Sequence, residues 1–454
     1  MSKITYVFFT VDGSILPVAE KLIKEGRSVI VGMVDDMKYA HTDKELKSKV
    51  EPEKPDKKKL RTSLYDGIIK KYTAEEVIKK MKGLNKKEDY FIFSETNCAF
   101  RFMELASKMG FTNGMFATQR DRLLESERVK AKEVVKEFYP DVNVADCQTF
   151  EKSEDGIKYI ESNPDKSYVL KSNGESGETV VPKNEDPEIS RQLIIDMLRS
   201  DSKSYEANGF LLEEKIMDGI EMTPQAVFYD GELVFTDVDF ETKCLGSGDK
   251  GPNLGCSTNL IIATEKDCKL NKIAFPEFVY AVAKKHKGFF VVDCALLFSK
   301  DKPYFLEFCF NRCGFDSFPT EITMSGGASA YFEAVIKGKN PLKMKYGCGV
   351  RILNITNGEP PKADVLINCD DDDVFLYDCK KVNDEILTVG NQIDTAVATS
   401  ASDNLDSAIN KCYNSADSFG LKDSFYRTKT DFVTKDYPQS IMNRLSYATD
   451  KGLI

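Results

Sequence analysis

The segment Gly246-Ser-Gly-Asp249-Lys-Gly251-Pro-Asn253-Leu-Gly255 is the most specific stretch of this chain. Four glycines and one proline within ten residues predict a shaped loop, because glycine reaches backbone conformations that other residues avoid and proline fixes one torsion angle. The backbone amides and the Asp249 carboxylate of such a loop can bind a small molecule. Glycine-rich loops are common, so the particular order of residues indicates more than the composition does.

A domain of mixed α and β structure is predicted around this loop, over residues 121–340, with a smaller subdomain at about 135–215. A helix is predicted at Glu125–Phe138, and an Asp-Gly pair at 230–231 indicates an antiparallel hairpin. The apolar and β-branched runs predict strands at Ser167–Lys171, Phe210–Lys215, Gln225–Tyr229, Leu233–Asp239, Phe289–Phe298 and Tyr304–Phe310.

One predicted strand carries Lys171 into the turn Ser-Asn-Gly174-Glu-Ser-Gly177. Backbone amides in a turn of this kind can bind phosphate oxygens, and the lysine supplies a positive charge. The alternative is that Lys171 is an ordinary exposed lysine at the end of a strand.

A second predicted strand runs into Glu213 and Glu214, and Glu221 follows an Asp-Gly turn. Adenine needs an acceptor for its exocyclic amine and apolar walls for its ring, and a strand followed by a hinge offers both. The alternative is an ordinary hairpin with a charged outer face.

Two further strands each place one acid, Asp293 or Glu307, among apolar neighbours. Burying a carboxylate is costly unless its charge is offset. Magnesium shared with nucleotide phosphates would offset it. The alternative is a salt bridge from one of these acids to Arg312.

The two ends of the chain are predicted to form separate domains. Residues Ile4–Thr10, Pro17–Lys24 and Ser28–Val34 predict the β-α-β opening of a parallel sheet, in an N-terminal domain over residues 1–120. Its lysine- and glutamate-rich residues 44–89 are interpreted as a solvated, partly helical insertion, with a docking patch for a phosphorylated ligand as the alternative. A C-terminal domain is predicted over residues 341–454.

Composition argues against several classes of protein. The formal net charge of −10 disfavours a general nucleic-acid binder, and no run of about 18 apolar residues predicts a membrane span, so a cytoplasmic location is expected. Two histidines and twelve scattered cysteines disfavour zinc sites and Ser-His-Asp or Cys-His catalysis. The chemistry is therefore expected to depend on carboxylates, lysines, arginines and a hard cation.

These residues resemble the ATP-grasp superfamily, and in particular phosphoribosylamine–glycine ligase, an enzyme of purine synthesis. Residues 248–255 reproduce that family's Gly-Asp-x-Gly-Pro-Asn-x-Gly loop. The resemblance implies a multidomain α/β and α+β protein, with an ATP-grasp fold, an N-terminal parallel β-α-β domain and a small C-terminal domain. It also implies that the nucleotide is bound by Arg128, Lys171, Glu213, Glu214, Ile216, Glu221 and Lys243.

The resemblance further implies a metal site and a substrate site. Magnesium or manganese would be bound by Asp293, Glu307 and Asn311. The substrates would be bound by Glu95, Asp249, Asn253, Gly255 and Arg312. Catalytic roles would fall to Lys171, Asp249 and Arg312.

Three departures from the family pattern leave the substrates open. Residues 10–15 read TVDGSI where the family has a glycine loop, and the turn after Lys171 lacks a Gly-Lys-Gly sequence. Cys309 stands where the family has an asparagine, and Asn311 follows two residues later.

The sequence therefore predicts an ATP-dependent carboxylate–amine ligase that forms an amide through an acyl phosphate and releases ADP and phosphate. Its substrates are expected to be small molecules, without membrane or nucleic acid, and the chain is expected to be a monomer or a homodimer. One alternative is an ATP-binding regulatory module without turnover. Another is a ligase that modifies a macromolecule, which depends only on the lysine-rich segment.

Overall fold

The computed structural model describes most of the chain in two compact units. Unit 1 comprises residues 1–121, 222–293 and 309–454, and unit 2 comprises residues 122–221 and 294–308. The described residues are 4–34, 55–94, 100–116, 123–173, 179–183, 186–216, 218–310, 317–355, 361–435, 437 and 439–454. Within these residues, no helix has the length and apolarity that crossing a membrane requires.

The described strands are short to medium in length and are numbered in chain order. They are β1 Thr5–Thr10, β2 Ser28–Met33, β3 Lys71–Thr73, β4 Tyr90–Phe93, β5 Asn113–Gly114, β6 Asn143–Val144, β7 Cys147–Phe150, β8 Tyr168–Ser172, β9 Phe210–Glu214, β10 Ile220–Tyr229, β11 Glu232–Asp239, β12 Thr242–Gly246, β13 Lys250–Thr264, β14 Phe289–Ser299, β15 Lys302–Phe310, β16 Tyr346–Asn354, β17 Ile367–Asn368, β18 Val374–Leu376, β19 Cys379–Val382, β20 Glu385–Thr388, β21 Asp394–Ser402, β22 Gly420–Leu421 and β23 Ser424–Tyr426.

The described helices are likewise numbered in chain order. They are α1 Leu16–Lys24, α2 Pro55–Ser63, α3 Ala74–Met81, α4 Phe100–Lys108, α5 Leu123–Ser126, α6 Arg128–Phe138, α7 Ser153–Glu161, α8 Pro187–Ser200, α9 Ser202–Asn208, α10 Lys269–Ala274, α11 Glu277–Ala283, α12 Ser317–Met324, α13 Ala328–Ile336, α14 Leu405–Ser418, α15 Thr430–Val433 and α16 Ile441–Asp450.

The N-terminal part of unit 1 is built on a parallel sheet with the strand order β3-β2-β1-β4-β5. Residues of β1 pair in parallel with β2 and with β4, so the predicted β-α-β opening is confirmed. The sheet is buried by apolar side chains, including a stacked pair of rings from Phe9 and Phe102 with centroids 5.3 Å apart. Continuous apolar strands of this kind are typical of a parallel sheet covered on both faces.

Within residues 44–89, the helices Pro55–Ser63 and Ala74–Met81 confirm the partly helical prediction, but the solvated character is wrong for residues 71–81; residues 44–54 lie outside the described residues. Strand β3 extends the parallel sheet by pairing with β2. Helix α3 buries Ala74, Val77, Ile78 and Met81. These four positions have the spacing of one helical face, so the lysines and glutamates between them form only the outer face.

The other sheet strands of unit 1 follow the order β18-β21-β16-β13-β11-β10-β14. Strands β10 and β11 form the hairpin that the Asp-Gly pair at 230–231 predicted. The C-terminal strands β16 and β21 are antiparallel neighbours that pair from Tyr346 opposite Ser402 to Leu353 opposite Asp394.

The glycine-rich segment was predicted as a loop, but most of it is a β-hairpin. Strand β12 pairs with β13, with Gly246 opposite Lys250, so the turn contains only residues 247–249. The register shifts twice along this pairing. Gly251 and Gly255 lie in the two shifted segments with φ of +80° and +83°, a backbone region that favours glycine. The glycines therefore bend a paired strand.

Unit 2 contains a three-stranded antiparallel sheet, with the order β7-β9-β8, and a core formed with α7, α8 and α9. Strands β8 and β9 lie within one residue of their predicted bounds. The predicted helix Glu125–Phe138 is interrupted, because Glu127 has a ψ of 75°, which is not helical. Arg128 is therefore the first residue of α6.

Two buried carboxyl groups lie together in the core of unit 1. Gln225 Nε2 donates hydrogen bonds to Asp237 Oδ1 at 3.3 Å and to Glu321 Oε1 at 2.9 Å, and Tyr331 donates to Glu321 Oε2 at 2.9 Å. Burial raises the pKa of Glu321 to about 7, against the hydrogen bonds from Gln225 and Tyr331. Burial, and then the charge of Glu321, raise the pKa of Asp237 well above its ordinary value. The pair is therefore stabilised when it carries protons.

This pair should make the folded protein less stable as pH rises. Glu321 has an ordinary pKa of about 4.3 in the unfolded chain, so between pH 4.3 and pH 7 the folded state binds more protons. Its contribution is present in full below that window and is lost through it, with a slope of at most about 1.4 kcal/mol per pH unit. Urea unfolding at several pH values measures this effect. We expect the free energy of unfolding of Glu321→Gln to fall less steeply from pH 4.3 to pH 7 than that of the wild type. The exposed Glu277→Gln serves as the control, and an unchanged slope in Glu321→Gln would contradict this assignment.

Candidate active site

A buried carboxylate in unit 2 lies between two lysines from different elements. Glu213 Oε1 is 3.1 Å from Lys171 Nζ, and Glu213 Oε2 is 2.5 Å from Lys132 Nζ. Lys171 lies on β8 opposite Leu211 of β9. Because alternate residues of a strand share a face, Lys171 and Glu213 lie diagonally on one face of the sheet. Lys132 reaches the same carboxylate from helix α6.

All three charged side chains are almost completely buried, with 3% of Glu213, 4% of Lys132 and 8% of Lys171 exposed. Burial lowers the pKa of Lys132, against the attraction of Glu213, and the charge of Lys171 lowers it further. Burial would raise the pKa of Glu213, but Lys171 and Lys132 together lower it. The carboxylate is therefore kept ionised by its two lysines.

The Lys132–Glu213–Lys171 cluster has one positive charge more than it has negative charge. Burying an uncompensated charge is unfavourable, and burial first, then the charge of Lys171, lowers the pKa of Lys132. An anion bound beside the lysines would supply the missing negative charge. Phosphate oxygens suit this role, because an ammonium group donates up to three hydrogen bonds.

A second ion pair in unit 2 involves two of the predicted site residues. Arg128 Nη1 is 2.8 Å from Glu307 Oε2, and Arg128 Nε donates to the Ser172 carbonyl at 3.1 Å. Lys171 Nζ donates to the Leu306 carbonyl at 3.4 Å. The residues predicted to bind nucleotide and metal therefore meet on strand β15. Glu307 forms its salt bridge with Arg128, whereas Arg312, the partner considered from the sequence, lies outside the described residues.

An open cavity of about 590 Å³ lies in unit 2 beside Arg128. Asn173 and Asn208 also line it. Such a volume is in the range of small-molecule sites.

The segment predicted to bind adenine leaves β9 at Glu214. Its side chain is half exposed and forms an ion pair with Lys166 at 2.6 Å. Lys215 anchors the following backbone, because its Nζ donates to the Pro182 carbonyl at 2.5 Å. Ile216 follows and is partly buried, while Glu221 lies in strand β10. The backbone beside the buried cluster is thus held by two side-chain contacts.

Four predicted residues lie on the glycine-rich hairpin of unit 1. Lys243 pairs with Glu241, and the Asn253 side chain accepts a hydrogen bond from the Gly255 amide at 2.8 Å. Asp249 lies in the turn with a φ of +60°, a left-handed conformation that is uncommon for residues other than glycine. The side chains of Lys243 and Asn253 therefore have partners within the hairpin, and the backbone at Asp249 is locally strained.

The structure brings Arg128, Lys171, Glu213 and Glu307 together in unit 2, and it places Lys243, Asp249, Asn253 and Gly255 on one hairpin in unit 1. Asp293 lies on β14 in unit 1. Glu95, Asn311 and Arg312 lie outside the described residues.

Sequence reasoning missed Lys132. The resemblance assigns only Arg128 of helix α6 to the nucleotide. Lys132 lies one helical turn further, so it shares the helix face of Arg128. A test of that periodicity on α6 would have found it.

A hard cation fits the chemistry of the predicted metal residues only in part. Among the described residues, no cluster of three or more acidic, histidine or cysteine side chains could hold a metal ion. Magnesium commonly uses one or two protein carboxylates together with substrate phosphates and water, so Asp293 and Glu307 suffice as donor types. The ion pair of Glu307 with Arg128 would have to share that carboxylate with the cation.

Comparison with known proteins identifies similar sequences and folds. Residues 127–315 match the family described as phosphoribosylglycinamide synthetase, ATP-grasp (A) domain. A search of curated protein sequences found no match.

Among solved structures, phosphoribosylamine–glycine ligase from Thermotoga maritima is 16% identical, with a TM-score of 0.65, covering 93% of this chain and 99% of that one. Biotin carboxylase from Campylobacter jejuni, in a β-γ-ATP complex, is 13% identical with a TM-score of 0.59, covering 97% and 98%. Phosphoribosylglycinamide synthetase from Anaerococcus prevotii is 16% identical with a TM-score of 0.51, covering 92% and 99%.

These likenesses establish a multidomain α/β and α+β architecture of the ATP-grasp type, in agreement with the prediction from the sequence. The family match spans Lys132, Lys171 and Glu213 as well as the glycine-rich hairpin. The chain therefore contains a region that matches an ATP-grasp domain, and its fold resembles that of phosphoribosylamine–glycine ligase.

Proposed function

We propose that this protein is an ATP-dependent ligase that joins a carboxylate to an amine. The observation that carries the proposal is the buried Lys132–Glu213–Lys171 cluster, in which two lysines face one carboxylate and favour an anion beside them, in a chain with an ATP-grasp fold. The polyphosphate of ATP is the anion that this fold class would place there.

In this proposal Lys132, Lys171 and Arg128 bind the phosphates of ATP. Residues Glu213 to Ile216 hold the adenine, Glu221 holds the ribose and Lys243 contributes from the glycine-rich hairpin. Asp293, Glu307 and Asn311 would hold Mg²⁺ or Mn²⁺, which would neutralise charge on the phosphates. The lysines act by electrostatic stabilisation, because phosphoryl transfer needs positioning more than it needs a nucleophilic side chain.

The proposed reaction has two steps. A carboxylate oxygen of the first substrate attacks the γ-phosphorus, the bond from that phosphorus to the bridging oxygen breaks, and ADP leaves. The amine nitrogen of the second substrate then attacks the carbonyl carbon of the acyl phosphate. Phosphate leaves with the bonding electrons, the nitrogen loses a proton, and an amide remains. Lys171 and Arg312 stabilise the charge that develops, and Asp249 receives the amine.

The substrates are proposed to be small molecules, as in phosphoribosylamine–glycine ligase or with another amine or carboxylate. Glu95, Asp249, Asn253, Gly255 and Arg312 are the proposed substrate-binding residues. The net charge of −10 disfavours a nucleic-acid substrate.

One observation favours a second candidate, an ATP-binding module without turnover. Arg128 already neutralises Glu307 at 2.8 Å, which weakens the attraction of that carboxylate for a divalent cation. If this ion pair persists with nucleotide bound, the protein would bind ATP and fail to transfer its phosphoryl group.

Turnover distinguishes the two candidates. We expect ADP release in the presence of Mg²⁺ and one pair from a panel of amino acids, other small carboxylates and amines. Lys171→Met should reduce kcat/KM by about 100-fold or more, as loss of a group that stabilises transition-state charge does. Lys158→Met removes an exposed lysine of unit 2 and should have no effect. ATP binding without ADP release for every pair would favour the module.

The charge balance of the buried cluster can be tested through stability. Glu213→Gln leaves two buried ammonium groups without a carboxylate and should lower the free energy of unfolding by about 3 to 5 kcal/mol. Lys132→Met added to Glu213→Gln should recover part of this loss, because only one unpaired lysine remains. Urea unfolding measures both, with the exposed Glu161→Gln as control. If the losses in free energy of unfolding caused by Glu213→Gln and by Lys132→Met simply add in the double variant, the two charges do not interact, and the proposed charge balance is contradicted.

A further inference from the structure

Three buried arginines from the C-terminal third of the chain donate hydrogen bonds to backbone carbonyls of one hairpin. We call residues 241–255 the substrate hairpin. Arg444 Nη2 donates to the Glu241 carbonyl at 2.7 Å, and Arg427 Nη1 donates to the Cys244 carbonyl at 2.7 Å. Arg351 Nη1 donates to the Leu254 carbonyl at 3.1 Å.

Arg427 makes the most extensive of these contacts and is 1% exposed. Its Nε forms an ion pair with Asp431, and its Nη2 donates to the Tyr437 hydroxyl at 2.9 Å. Asp431 is completely buried and also receives a hydrogen bond from the Gly248 amide at 3.2 Å. The Arg427–Asp431 pair therefore holds both a strand and the turn of the substrate hairpin.

The same pair lies beside the residue that is proposed to receive the amine. Arg427 Nη2 is 3.9 Å from Asp249 Oδ1. Asp249 follows Gly248 in the turn and has the left-handed φ of +60°. Such a conformation persists only where surrounding contacts hold it. Ser247, on the other side of the turn, is 2.8 Å from the Thr428 hydroxyl, so the turn is held at two successive residues.

A lysine could not replace Arg427 in this arrangement. The guanidinium donates in fixed directions to the Cys244 carbonyl, Asp431 and Tyr437 at once. A lysine is a point charge on a flexible stem, and one ammonium group cannot reach three partners spread around a planar fork. Arg427→Lys therefore keeps the charge and loses the geometry.

We propose that Arg427, through its pair with Asp431, is a positioning residue that fixes Asp249 on the substrate hairpin for recognition of the amine substrate. This inference rests on the proposed ligase function. The contacts predict a defined division of effects: the hairpin turn loosens and the amine binds more weakly, whereas ATP, to which this hairpin contributes only Lys243, is affected much less.

The first test compares the change in the KM for the amine with the change in the KM for ATP. In Arg427→Lys we expect the KM for the amine to rise about 10-fold or more, with a rise of at most about threefold in the KM for ATP, because Lys243 is the one proposed ATP-binding residue on this hairpin. Arg427→Met should raise the KM for the amine further, so that lysine gives partial rescue. Arg27→Lys alters an arginine of unit 1 that pairs with Glu333 and should leave both constants unchanged. Equal increases in both constants for Arg427→Lys would overturn the proposal.

The second test needs no turnover. Hydrogen–deuterium exchange of peptides covering residues 244–255 should be at least about 10-fold faster in Arg427→Lys than in the wild type, while exchange in β1 stays unchanged. Unchanged exchange in the hairpin, or an equal increase in β1, would overturn the proposal. A wild type without ADP release for any substrate pair would remove the ligase function, and the exchange result would then decide the positioning role of Arg427 alone.

Discussion

The whole site depends on one buried carboxylate, Glu213, that faces two ammonium groups at 2.5 and 3.1 Å. Three charges with almost no solvent exposure are unfavourable unless they compensate one another. Here they do so incompletely, because two lysines face one acid. A structural ion pair would need only one of them. The excess charge is the physical reason to expect a bound anion, and the ATP-grasp fold indicates which anion it is.

The sheet geometry explains how these charges come together. Strands β8 and β9 are antiparallel neighbours, and their register puts Lys171 diagonally opposite Glu213. Helix α6 begins at Arg128, and the four-residue spacing places Arg128 and Lys132 on one helix face. Arg128 then reaches Glu307 while Lys132 reaches Glu213. The non-helical backbone of Glu127 separates α6 from the short helix α5.

The substrate hairpin (residues 241–255, the glycine-rich hairpin) holds a strained turn in one conformation. Two glycines with positive φ permit the register shifts of β13, and three arginines bind the carbonyl groups around them. Buried arginines suit this role because a planar guanidinium can bind several oxygens at defined angles. The C-terminal third of the chain therefore contributes to the proposed substrate site through its arginines.

Strand patterns predicted Lys171 and Glu213 because both depend on local sequence: an apolar run that ends in a charged residue. Lys132 was missed although its signal is local: it lies four residues after Arg128 and therefore on the same helix face. Residues 246–255 were predicted as a loop because their glycine content is typical of loops, whereas the structure pairs most of them in a hairpin with two register shifts. Lysine-rich composition likewise concealed the four buried positions of α3. Apart from Lys132, the aspects that failed are those for which long-range contacts override local composition.

The most direct measurement is a crystal structure with Mn²⁺ and a non-hydrolysable ATP analogue. Phosphate oxygens should lie within about 3 Å of Lys171 Nζ and Lys132 Nζ, as charge-assisted hydrogen bonds require, with the manganese on the Glu307 carboxylate. A nucleotide bound elsewhere, with both lysines still contacting only Glu213, would contradict the assignment of this cluster as the ATP site.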